Sequence, residues 1–237
     1  MKLVSPQTLI LAQLWATLLD LALAGMLLFI LVDRLAPPQD LPWKPFSLTQ
    51  PIGLATAGKL ARISADPAAC RAALRAGGVS FVDQPEREEG FCSTRDTLRA
   101  ASRLSPTAPV MTCPLALRYA LWERQVVEPA AHAIVGSSVA RVDQLGTYAC
   151  RTLYGRTGAR PSEHARANAL DVAGFRLVDG RRITVLKDFR SDTPEGRFVR
   201  AARDGACQVF GVTLSPDYNA EHADHLHLNP AGYHLCR

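Results

Sequence analysis

From about Thr8 to Val32 the chain reads TLILAQLWATLLDLALAGMLLFILV, an apolar run with one charge, Asp20, near its middle. At about 1.5 Å per residue a helix of this length exceeds a bilayer core of roughly 30 Å. Asp20 costs about 2.5–3.5 kcal/mol of insertion, which the flanking leucines offset. Ala22-Leu23-Ala24 resembles a signal-peptidase site. The apolar run nevertheless continues to Val32, longer than the roughly 7–15 residues of a signal-peptide core. The pattern predicts an uncleaved single-pass anchor over residues 1–33, N-terminus inside and the remainder outside. Ala36 to Pro51 then holds five prolines, at 37, 38, 42, 45 and 51, and predicts a stiff, extended spacer within a linker over 34–59.

The folded domain is expected over residues 60–237. In its first half, Pro67–Ala76 and Pro114–Val127 place apolar residues three or four apart behind a first-turn proline, which predicts two helices. Further on, Phe175–Val178 and Arg182–Leu186 flank Asp179-Gly180, a hairpin signal. Thr193-Pro194 opens a helix whose stripe of Phe198, Ala202, Ala206 and Val209 ends before Gly211. A last strand is predicted over His225–Leu228. The fold class is α+β, a small antiparallel sheet with helices packed on it.

Composition narrows the class without changing this picture. With 48% apolar and 21% charged residues among 237, the chain is not collagen-like, coiled-coil or largely disordered. The net charge of +5 lies outside the anchor, where Lys2, Asp20, Asp33 and Arg34 cancel. Such a surface is drawn to anionic polymers or headgroups. No Lys/Arg-rich block or aromatic-interleaved basic motif occurs, so nucleic acid is not an expected partner. Six dispersed cysteines with no C-x-x-C pair predict disulfides formed in an oxidising compartment and exclude a C-x-x-C redox enzyme. Their pairing stays open.

Four of the six histidines fall in two segments, Ser162–Asp171 and Glu221–Leu228. On a strand, His225 and His227 point to one face while Leu226 and Leu228 point to the other. His164 and Asp171 flank a small-residue stretch that ends just before the hairpin, so Asp171 is placed to face the same cleft. Two neutral imidazoles and one carboxylate, with a fourth position left to water, are a donor set for catalytic zinc. Glu221 and His222 read equally as partners that orient such ligands or as caps of the turn before the strand. His132 and His234 read as structural or surface residues.

The joint pattern S-x-H-x-x-x-x-A-x-D followed by D-H-x-H-L resembles zinc peptidases built like D-alanyl-D-alanine carboxypeptidases, a group that includes murein endopeptidases and the Hedgehog-like domain. More closely, Y-A-C-R, S-E-H-A-x-x-N-A-x-D-V, the D-G-R hairpin, F-V-R-x-x-R-D-x-A-C and P-D-Y-N-x-x-H-x-D-H-L-H-L resemble the bacterial extensin-like C-terminal domain family. The resemblance implies a Hedgehog/D,D-peptidase-like fold in which His164, Asp171 and His227 bind one zinc ion. It makes Asp224, three residues before the last ligand, the general base, and His225 an assistant to the base or a stabiliser of the oxyanion. Strand alternation instead favours His225 for the cleft face, and both remain candidates. Arg151 and Ser162 are implied to bind substrate, Arg151 through a carbonyl or carboxylate. The pattern departs from its relatives in having Arg166 and Ala167 where a glycine is common, and Asp where Glu is familiar. The implied protein is an inner-membrane, single-pass zinc metallopeptidase with its domain in the periplasm. It would cut peptidoglycan stem peptides or cross-links as a D,D-endopeptidase or carboxypeptidase. The alternative is a non-catalytic, zinc-containing peptidoglycan-binding module of the same fold.

Overall fold

A computed structural model describes residues 6–237. Helix α1, Pro6–Leu35, is 30 residues long. Its Leu9–Leu35 stretch has a mean hydropathy of 2.2 and leaves its leucines exposed, so the helix is long and apolar enough to cross a bilayer.

The proline-rich segment departs from expectation. It does not stand free as an extended spacer but lies against the domain. Pro38–Asp40 form one 3₁₀ turn, and Leu41 and Leu48 are buried, the latter at 1% exposure in the same core as Leu60 and Leu74. Lys59 Nζ donates to the Pro38 carbonyl and Arg62 Nη2 to that of Pro42, both at 2.6 Å, and Gln125 Nε2 donates to Leu48 O at 2.8 Å. At the end of α1 Asp33 Oδ1 accepts from Trp43 Nε1 at 2.8 Å and from Lys44 Nζ at 2.7 Å, and the Trp43 ring lies 5.3 Å from Phe29. Prolines stiffen the path, but the apolar residues between them decide where it goes.

Helices α2, Thr56–Ser64, and α3, Pro67–Ala76, follow, α3 capped by Asp66 Oδ1, which accepts from the Ala68 and Ala69 amides. Strands β1, Phe81–Asp83, β2, Thr97–Ala100, and β4, Met111–Thr112, form a three-stranded antiparallel sheet, and β3, Leu104–Ser105, leaves it for the main sheet. Helix α4, Cys113–Trp122, starts where predicted but runs on well past Val127. It passes through π-type turns at Glu123–Val127 and Ala131–Val135 on either side of α5, Glu128–Ala130, and stops at Gly136 with φ +68°. Pro129 has no N–H and would crowd the carbonyl four residues back; the widened turns accommodate it.

The main sheet comprises β3, β5 (Val139–Gly146), β6 (Leu170–Leu177), β7 (Arg182–Thr184), β8 (Val212–Leu214), β9 (Leu226–Asn229) and β10 (Leu235–Cys236). Its order is β10-β8-β9-β6-β5-β3, with β7 paired to the end of β6. It is antiparallel at its centre, as predicted, with parallel pairs at both edges, β10–β8 and β3–β5. The hairpin forms as predicted, Phe175 opposite Ile183 and Gly180 at φ +91°. Its second strand ends at Thr184, whose hydroxyl accepts from Lys187 N and starts α6, Val185–Asp188.

Helix α7, Pro194–Val209, buries the predicted stripe against α4 and the sheet. Between them Trp122 lies 6.2 Å from Phe175 and 6.4 Å from Phe210, Phe175 lies 4.9 Å from Phe198, and Trp122 Nε1 donates to Ala202 O at 2.8 Å. All six cysteines are paired: Cys70–Cys113 joins α3 to α4, Cys207–Cys236 joins α7 to β10, and Cys92–Cys150 ties the loop after β1 to the residue before Arg151.

Candidate metal centre

Strands β6 and β9 build the centre by register. Asp171 stands directly opposite His227, flanked by the pairs Leu170–Leu228 and Val172–Leu226. All four flanking residues are fully buried on the other face, so the two-residue period turns the carboxylate and the imidazole together into the cleft. His164 arrives from a 3₁₀ turn, Glu163–Arg166. The Ser162 hydroxyl caps that turn, accepting from His164 N at 3.3 Å. Ala167 closes it at φ +54°, the left-handed conformation in which glycine is easiest.

The three side chains meet. His164 Nε2 lies 3.2 Å from Asp171 Oδ2 and 3.2 Å from His227 Nδ1, and His227 Nδ1 lies 2.9 Å from Asp171 Oδ1. A tetrahedral dication with bonds of about 2.0–2.1 Å needs neighbouring donors about 3.3 Å apart, so the set suits such an ion with little movement. His164 Nδ1 faces the Thr147 carbonyl at 3.3 Å, which can only accept, so Nδ1 is the donor there and Nε2 is the ring atom turned toward Asp171 and His227. Burial pushes His227 below the ordinary histidine range, ahead of the opposing pull of Asp171, and so favours the neutral imidazole a metal requires. For Asp171 burial acts to raise the pKa, but hydrogen bonds and charge from His164 and His227 outweigh it and keep the carboxyl well below the usual range.

Asp224 and His225 both lie just before β9, which begins at Leu226. The His225 ring lines the cleft, with Nε2 3.6 Å from Asp171 Oδ1, and its Nδ1 lies 2.8 Å from Asp224 Oδ1. The Asp224 side chain is 55% exposed and lies outside the cleft lining. His225 therefore takes the cleft face although it precedes the strand, and Asp224 sits behind it rather than against the cluster. His222 is buried in the same cleft, its ring 5.1 Å from His225 and 5.8 Å from His227. Its pKa is pushed down to about 4 by burial first and by the neighbouring histidines second. The Asn219 Oδ1 contact at 2.6 Å fixes its Nδ1.

Arg151 lies at the lip of this cleft of about 630 Å³, and the Ser162 hydroxyl lines its wall while serving as a cap. His234 is exposed, and His132 is a surface residue beside Glu128 and Ser138. Sequence reasoning missed Tyr154, Arg160, Tyr218 and Tyr233, which form part of the cleft wall. Only Tyr218 carried a signal, through its place in P-D-Y-N.

Residues 68–237 match the family described as Extensin-like protein C-terminus. No curated protein and no solved structure matches the chain.

Proposed function

Since the chain belongs to the Extensin-like protein C-terminus family, we propose that it is a membrane-anchored zinc peptidase of the Hedgehog/D,D-peptidase type, hydrolysing peptidoglycan stem peptides or cross-links on the periplasmic side of the inner membrane. The observation that carries this reading is the convergence of His164, Asp171 and His227 at 2.9–3.2 Å inside an open cleft. An apolar N-terminal helix, three disulfides and a net charge of +5 agree with an anchored, exported domain acting on an anionic polymer.

His164, Asp171 and His227 would hold the zinc ion, which would supply a water of lowered pKa and polarise a carbonyl. The protein's own groups do the rest. His225, with Nε2 toward the cluster, accepts a proton from the attacking water and returns it to the departing amine. Asp224 accepts the His225 Nδ1–H, holds the ring in that orientation and stabilises its protonated form, a positioning role. Arg151, which makes no ion pair among the described residues, supplies guanidinium donors to a substrate carbonyl as negative charge develops there.

One observation favours the second reading, a peptidoglycan-binding module without catalysis: the one carboxylate in the motif that relatives use as base, Asp224, points to solvent. Digestion of purified peptidoglycan by the zinc-loaded chain, with fragments identified by mass spectrometry, decides between them. The peptidase releases peptide fragments and its His225→Ala variant does not. A binding module releases none and keeps its affinity for the wall in both forms.

A further inference from the structure

The mouth of the cleft carries groups that the hydrolytic reading does not use, one of them, Tyr218, with its ring 5.5 Å from His222. Tyr154, Tyr218 and Tyr233 come from three separate segments, each lines the cleft, and they are 41%, 40% and 52% exposed. Tyr154 holds φ +55°, an uncommon conformation for a bulky side chain, with the Arg156 guanidinium 5.4 Å over its ring. Asn219 Nδ2 donates to its hydroxyl at 3.4 Å.

Beside them Arg160 makes no ion pair among the described residues. Its one side-chain contact is a long donation from Nη2 to the Tyr233 hydroxyl at 3.4 Å. Two of the cleft's carboxylates are engaged, Asp171 in the cluster and Glu163 accepting from Asn168 Nδ2 at 2.6 Å, and Glu221 is exposed and forms no ion pair with Arg160 among the described residues.

A guanidinium with most of its five donors unused, next to a phenol, matches a carboxylate in shape and charge. Because the Tyr233 oxygen accepts from Arg160, its own proton remains to be donated to the same anion. The rings of Tyr154 and Tyr218 offer apolar walls for the short side chain that would sit beside such a group.

We propose that Arg160 and Tyr233 form a carboxylate pocket at the mouth of the cleft, selecting peptides that present a free carboxylate there. The pocket rests on the peptidase reading for its role but binds whether or not a bond is cut. The carboxylate comes either from the C-terminus of the peptide or from a side chain along it.

The test uses the zinc-loaded full chain carrying His225→Ala, so that turnover does not compete, with binding followed by calorimetry. The probes are a synthetic stem pentapeptide ending in D-Ala-D-Ala, its C-terminal amide, and a form amidated at its side-chain carboxylates. One of the two amides should bind at least about tenfold more weakly than the acid, and which one it is identifies the source of the carboxylate. Adding Arg160→Ala should erase that difference, and Tyr233→Phe should reduce it severalfold. Equal binding of all three probes, no binding of any, or discrimination that survives Arg160→Ala overturns the pocket. Hydrolysis by the wild-type chain is scored separately: cleavage without discrimination rejects the pocket alone, and discrimination without cleavage rejects the peptidase reading alone.

Discussion

Asp171 and His227 face one another across neighbouring antiparallel strands, with His227 Nδ1 2.9 Å from Asp171 Oδ1. The ladder hydrogen bonds of β6 and β9 and the burial of Leu170, Val172, Leu226 and Leu228 hold this pair. A slip of one residue would send both side chains into the core. His164 is held by a capped turn closed at Ala167 and by its Nδ1 contact with the Thr147 carbonyl. The cluster therefore has two donors set by a sheet and one set by a loop.

If His225 is the base and Asp224 orients it, the two positions differ in cost. His225→Ala should lower kcat by about 10²–10⁴, whereas Asp224→Asn should lower it by about tenfold with KM little changed. Steady-state kinetics on one peptide substrate make the comparison. A loss for Asp224→Asn as large as that for His225→Ala would make Asp224 the base.

The segment between helix α1 and helix α2 should contribute to stability. Leu48→Ala removes a fully buried side chain and should cost about 2–5 kcal/mol in urea denaturation of the full chain. An unattached spacer would show no change.

Mass mapping under non-reducing conditions should recover Cys70–Cys113, Cys92–Cys150 and Cys207–Cys236 with no unpaired thiol. Opening Cys70–Cys113 by double alanine substitution releases a loop of 43 residues and should cost about 4 kcal/mol on chain-entropy grounds. Substantial free thiol would contradict the pairing.

Stability of the metal-free chain should fall on acidification. His222 titrates at about 4 in the fold against an ordinary 6.5, and His227 is also lowered, so between these values the unfolded chain binds more protons than the folded one. Stability is then level above about pH 6.5 and declines as pH drops toward 4. Asp171, held below its ordinary 3.8, adds a further loss only beneath that. Urea midpoints at pH 7.5 and 5 check the sign, and equal midpoints would contradict it.

Much of the site was legible because its signals are local. H-x-H on an alternating strand reveals a shared face, and S-x-H with a following Asp marks a turn leading into a strand. The hairpin and the α7 stripe were readable for the same reason. What escaped depends on tertiary packing. Strand β9 begins at Leu226, one residue later than alternation suggested, so Asp224 and His225 both lie in the turn before it and only the folded turn shows which enters the cleft. Pro129 looks like a helix end, yet wider turns on both sides absorb it. Counting prolines in 36–51 hid the apolar residues that bind the segment down. Tyr154, Tyr218 and Tyr233 lie far apart in the chain, and only the folded loops bring them together.

Whether His164, Asp171 and His227 hold a metal ion is measured directly by elemental analysis of the full chain after equilibration with zinc and removal of excess. One zinc per chain in the wild type, reduced to background in Asp171→Ala with the fold intact by circular dichroism, is the predicted result. No zinc in the wild type, or full occupancy in Asp171→Ala, would contradict it.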